Sequence, residues 1–134
     1  MYLVDTNIFL EILLCQAKEK ECYEFLEQLK KGKKLAITTD FTVHSIIVTM
    51  YNYDKLEGLK IFLSSLGGYK GLRVYPTDLS NEIKATELAI ENKLDMDDAI
   101  QYAVALVSNV EAIISFDKHF NNLKIPRKEP HQIG

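Results

Sequence analysis

The stretch Leu94–Phe120, LDMDDAIQYAVALVSNVEAIISFDKHF, constrains the chain more than any other. It opens on three acidic residues, Asp95, Asp97 and Asp98, at the expected start of a helix. Ile100, Ala103, Val104 and Val107 then recur at the spacing of one helical stripe. A short turn leads into Ala112–Ser115, an apolar, β-branched strand that runs out into Asp117. The N-terminus repeats that ending: Met1–Val4 is a short apolar strand, and Asp5 follows it directly. Open α/β sheets carry their sites outside the carboxyl ends of the strands. Two aspartates that end two buried strands, with a third at the start of a helix, therefore point to one acidic site.

Between these ends the pattern alternates. Thr6 or Asn7 can cap a first helix whose apolar face includes Phe9, Ile12 and Leu13. A second helix over Glu19–Lys31 places Cys22, Phe25, Leu26 and Leu29 on one side and stops at Lys30-Lys31-Gly32-Lys33-Lys34. Lysines and a glycine suit a helix C-terminus, which explains this basic patch more simply than a nucleic-acid contact does. Leu35–Thr38 is an expected strand. Thr39 or Asp40 caps a helix to Tyr51 with Val43, Ile46, Ile47 and Met50 inward. A further helix covers Leu56–Leu66, and Leu72–Tyr75 is a strand ended by Pro76. Ser80 caps a helix to about Asn92, with Ile83, Leu88 and Ala89 inward. From Asn121 a tail with Pro126 and Pro130 is expected to wrap over the sheet. The expected fold is an α/β, three-layer α/β/α sandwich with a small, mostly parallel central sheet.

A chain of 134 residues, 47% hydrophobic and 26% charged, suits a single soluble domain over 1–134. No apolar run nears the roughly 20 residues that span a bilayer, and Met-Tyr-Leu-Val-Asp has no basic region ahead of its apolar one. A cytoplasmic location without membrane contact is the expectation. Cys15 and Cys22 lie at neither a zinc nor a disulfide spacing and are expected to be buried thiols. The net charge of −3 gives no overall basic field, so any contact with nucleic acid must come from local cations or a bound metal.

Taken singly, each acidic residue has a structural explanation. Asp95, Asp97 and Asp98 stand where carboxylates favour a helix N-terminus, Asp5 can form an Asx-turn and Asp117 can cap the turn after it. Taken together, Asp5, Asp98 and Asp117 would crowd three carboxylates, and a divalent cation resolves the conflict. Mg²⁺ and Mn²⁺ prefer oxygen ligands and are held by a few carboxylates plus a phosphate.

Val4-Asp5-Thr6-Asn7, then Asp97-Asp98-Ala99-Ile100 leading into Ala103 and Ala105, then Ser115-Phe116-Asp117-Lys118-His119-Phe120, occur in this order over nearly the whole chain. In these fragments the sequence resembles PIN-domain proteins, particularly small VapC-like toxins of prokaryotic toxin–antitoxin pairs. The resemblance implies a metal-dependent ribonuclease with Mg²⁺ or Mn²⁺ (one or two ions) on acidic ligands. It also implies an RNA substrate, a cognate antitoxin partner and a homodimer. Asp5, Asp98 and Asp117 match three of the family's acidic residues. Thr6 or Asn7 matches the polar residue beside the first of them, and Ser115 the hydroxyl before the last. Lys118 is placed to meet a phosphate. Where the family has a glutamate after the second strand, this chain has His44, with Asp40 one turn earlier; either is a further candidate ligand. The departure leaves open a catalytically degenerate PIN domain that binds nucleic acid or protein. His119 and His131 carry no pattern that suggests catalysis. Tyr51, Tyr53, Tyr69 and Tyr75 can stack on bases, although packing accounts for them more readily.

Overall fold

A computed structural model describes residues 1–134. Its strands are β1 (Tyr2–Val4), β2 (Ala36–Thr39), β3 (Leu72–Tyr75), β4 (Ala112–Ile114) and β5 (Arg127–Lys128). They form one sheet in the order β3-β2-β1-β4-β5, and every neighbouring pair is parallel. The expected mostly parallel sheet is thus wholly parallel. The tail does not simply wrap over it: Arg127–Lys128 pairs with β4 as an edge strand.

Alternation along short strands sorts the apolar side chains into two cores. Val4, Ala36, Ala112 and Ile114 face α1 (Thr6–Leu13), α2 (Glu19–Lys30), α3 (Asp40–Asn52) and α4 (Leu56–Leu66), where Phe9, Phe25, Ile46, Met50 and Phe62 meet them. Leu3, Ile37 and Ile113 face α5 (Leu79–Asn92) and α6 (Met96–Val107), against Ala85, Leu88, Ala99, Tyr102 and Val104. The chain moves outward from β1 through β2 to β3 over one face, then returns over the other face to β4. Right-handed crossovers require that change of face when the direction of travel across the sheet reverses. The reversal places β1 and β4 side by side with Val4 opposite Ile114, and so creates the switch point where such sheets bind ligands.

Local details differ from the sequence expectations for definable reasons. Asp5, not Thr6 or Asn7, caps α1, because its carboxylate accepts the Thr6 N–H. Asp78, not Ser80, caps α5 through a reciprocal pair with Asn81. Ile83 consequently falls on the outer face, 63% exposed, and Ala85 and Leu88 face the core. On α6, Val107 is exposed, whereas Ala99, Ala103 and Ala105 are buried among sheet and α5 contacts. Cys22 is buried as expected; Cys15 is exposed, in a left-handed conformation at φ 52° just after α1. Thr39 caps α3 through the Thr42 N–H, one of the two residues expected to do so.

Candidate active site

The carboxyl ends of β1 and β4 open onto a cavity of about 200 Å³ lined by Asp5, Asp97, Asp98 and Asp117 together with Thr6, Asn7, Ser45 and Gln101. No lysine or arginine lines it. Asp5 and Ser115 are the first residues beyond the paired strands, so register alone brings them together: Asp5 N–H donates to the Ile114 carbonyl at 3.0 Å. The Ser115 hydroxyl then donates to Asp5 Oδ2 at 2.6 Å. Asn7 Nδ2 donates to the same oxygen at 3.1 Å and to Ser115 Oγ at 3.2 Å, and Asn7 Oδ1 accepts the Phe116 N–H at 3.3 Å. Asn7 therefore clamps the start of α1 to the end of β4.

The other Asp5 oxygen accepts the Thr6 N–H at 2.8 Å and Gln101 Nε2 at 3.4 Å. Gln101 also donates to Thr42 Oγ1 and accepts from the Thr39 hydroxyl at 3.0 Å. Thr42 meets Thr6 at 2.9 Å. Thr39, Thr42 and Gln101 are all buried, so a satisfied polar network runs beneath the acidic floor and holds α1, α3 and α6 in one geometry.

Burial raises Asp5 to about 6; the nearby Asp117 and Asp97 charges act in the same direction, while the Ser115 hydroxyl and Thr6 N–H oppose them. Asp98 rises to about 7, first by burial and then by Asp117, Asp97 and Asp5, with His119 opposing. Asp117 caps a 3₁₀ turn, Lys118–Phe120, by accepting the His119 N–H at 2.9 Å. That turn brings His119 Nδ1 to 2.8 Å from Asp117 Oδ1 and 3.5 Å from Asp98 Oδ2.

The structure therefore gathers Asp5, Asp98 and Asp117, with Thr6, Asn7 and Ser115 around them. It brings neither further candidate from α3 into the cavity. Phe41 and Ser45, four residues apart, take the helix face that lines it, and His44 stands exposed about 100° round, beside Val48 and Thr49. Asp40 turns to Thr77, accepting its N–H at 3.2 Å and its hydroxyl at 2.7 Å. Lys118 is exposed on the 3₁₀ turn. Sequence reasoning missed Asp97 as a lining residue, Gln101, and His119. A polar residue on the inward face of α6 was the available signal for Gln101; nothing in the spacing announced His119. His131 lies elsewhere, in an ion-paired cluster where Glu21 and Glu129 also meet Lys18 and Arg127.

A parallel α/β sheet with acidic residues converging at its switch point defines the class of protein. The model of the PIN domain family matches residues 2–126, so the chain belongs to that family. A toxin–antitoxin complex from Klebsiella pneumoniae is similar in structure at 20% identity and TM-score 0.72, covering 97% of this chain and 98% of that one. Mycobacterium tuberculosis VapC20, a sarcin–ricin loop cleaving toxin, is similar at 14% identity and TM-score 0.71, over 87% and 90% of the two chains. VapBC2 from Rickettsia felis, bound to a DNA fragment from its promoter, is similar at 16% identity and TM-score 0.71, over 96% and 97%. At these identities the likeness is one of fold. No curated protein sequence gives a significant match. No helix is long and apolar enough to cross a membrane.

Proposed function

We propose that this chain, as one PIN-like domain over 1–134, is a metal-dependent endoribonuclease that hydrolyses RNA phosphodiester bonds, and is the toxin of a toxin–antitoxin pair. The observation that carries the reading is the convergence of Asp5, Asp98 and Asp117, with Asp97, on one cavity that no lysine or arginine neutralises. Such a donor set fits a hard divalent cation, because the strong donors lining the cavity are all carboxylate oxygens. Asp5, Asp98 and Asp117 would hold Mg²⁺ or Mn²⁺, as one or two ions. When bound, the ion would supply Lewis acidity at a phosphodiester oxygen and a water acidified for attack.

The chain's own residues do the rest. Ser115 and Asn7 fix one oxygen of Asp5, and Thr6 and Gln101 the other, so its carboxylate presents a single orientation. Asp98 and Asp117 face it from α6 and from the end of β4. Lys118, exposed next to Asp117, would meet a backbone phosphate. Toxin–antitoxin relatives in the same fold support an antitoxin partner, and exposed Val48, Tyr51, Leu56 and Ile61 on α3 and α4 offer apolar surface for it or for a homodimer. A cytoplasmic location follows from the same reading.

The test is cleavage of a mixed, end-labelled RNA pool with Mg²⁺, with Mn²⁺ and with a chelator, beside an Asp5→Asn control. Cleavage that needs metal and is absent from the control is expected. Protein that binds metal and cuts neither RNA nor DNA would instead support a degenerate binding module, the reading favoured by the lack of a carboxylate on the α3 face of the cavity.

A further inference from the structure

Resting on the metal-site reading above, we propose that His119 is a direct ligand of the bound divalent cation, with Asp98 and Asp117, and that the site therefore selects Mn²⁺ or a later first-row ion over Mg²⁺. His119 Nδ1 and one oxygen from each of these two aspartates lie within 4.8 Å of one another, close enough to share one ion. No strong donor comes from the α3 side of the cavity, where Ser45 offers only a hydroxyl and His44 is exposed on the neighbouring face. His119 stands on the 3₁₀ turn, its Nδ1 2.8 Å from Asp117 and 3.5 Å from Asp98.

Packing does not account for where the ring sits. His119 is 71% exposed, so no core contact holds it over the carboxylates. The turn that carries it is fixed from below by Phe120, which is fully buried, and from the side by Asp117, which accepts the His119 N–H. An anchored turn with an exposed imidazole aimed at two carboxylates is the arrangement a mixed nitrogen–oxygen site requires. Imidazole suits Fe²⁺, Ni²⁺ and Zn²⁺ best and is a weaker ligand for Mn²⁺, whereas Mg²⁺ favours carboxylate, carbonyl and water almost exclusively. Selectivity then resides in one residue outside the acidic set.

A histidine that only neutralises the aspartates would behave in the opposite way. It would compete with the cation, and removing it would leave metal binding unchanged or tighter. Calorimetric titration of Mn²⁺ and of Mg²⁺ into the purified full chain separates the two cases, using wild type, His119→Ala, His119→Gln and Asp98→Asn. The expected result is tighter binding of Mn²⁺ than of Mg²⁺ by wild type. Both His119 variants should lose at least about tenfold for Mn²⁺, the loss that even a ligand's hydrogen-bond partner can cause, with Mg²⁺ little changed. Visible spectra of the Co²⁺-loaded chain should shift in both variants. Mn²⁺ affinity in the His119 variants equal to or above wild type, or an equal loss for both ions, overturns the assignment. If Asp98→Asn abolishes binding while the His119 variants retain it, the metal site stands and only the role of His119 falls. Wild type that binds neither ion overturns both.

Discussion

A buried carboxylate crowded by others can relieve the conflict by taking up a proton or by binding a cation, and Asp5 and Asp98 are poised between the two. Both bind protons more tightly folded than unfolded, with values raised to about 6 and about 7 from the ordinary 3.8. The folded state therefore holds protons that the unfolded chain has released, between roughly pH 4 and 7, and the stability these groups contribute falls as pH rises through that window. Metal-free protein is expected to melt about 5 °C lower at pH 8 than at pH 5, with exposure of the pocket mouth limiting the size of the effect. Saturating Mn²⁺ should reverse the trend, because carboxylates must lose their protons to become ligands. Melting curves at several pH values, with metal and with chelator, check both statements. Asp98→Asn removes one repelling charge and should raise the metal-free melting temperature by a few degrees, about 1 kcal/mol, while abolishing cleavage. A variant that melts below wild type would mean that Asp98 serves the fold. At this scale the convergence of Asp5, Asp98 and Asp117 was legible in the sequence, because strand ends and a helix start can be read from apolar runs. The sequence did not reveal which way Asp40, His44 or His119 faces, since that depends on helix phase and on a single turn of 3₁₀ geometry.

Elements owe their placement to a few close approaches. A Cβ on Gly71 would sit 2.0 Å from the Lys34 carbonyl oxygen and 3.0 Å from that of Leu29, both backbone atoms that cannot swing aside. Gly71→Ala should therefore push β3 away from the end of α2 and destabilise the chain by about 1–3 kcal/mol, read from urea unfolding. A change within 0.5 kcal/mol would mean that the strand shifts freely. Thr39 has two tasks: it caps α3, and its hydroxyl donates to Gln101 beneath the site. Thr39→Ala is expected to cost about 2 kcal/mol, the upper end for a helix cap, because a buried amide loses a partner as well. Sequence pattern located all six α-helices, since long apolar stripes outweigh local uncertainty. It misplaced the start of α5, where Asp78, Ser80 and Asn81 all suit a cap and only the reciprocal Asp78–Asn81 bonds decide. It also missed β5, whose two residues, Arg127 and Lys128, have no apolar pattern and pair in the sheet with β4 alone.

Across the whole molecule the two cores share one sheet, and each of β1–β4 contributes to both, so neither can open without exposing the other. Unfolding should be a single transition. With seven tyrosines and no tryptophan, tyrosine fluorescence and far-UV circular dichroism are the two probes, and their curves should superimpose. Tyr2 and Tyr69 report one face and Tyr102 the other, so separated curves would show that the faces melt apart. The layered architecture was legible from alternation of strand and helix patterns, while the strand order was not, because pairing depends on handed crossovers rather than on any one segment. The central strand, β1, precedes the other four in the chain. Asp5 leaves the ribosome with β1, yet the serine that orients it, the partner strand beside it and the carboxylates opposite it are encoded from Asp97 to Asp117. The nascent chain carries half a site for most of its synthesis and can complete it only after β4 slots in beside β1. If the site cuts RNA as proposed, its assembly in this order keeps it silent on the polysome until β4 docks beside β1.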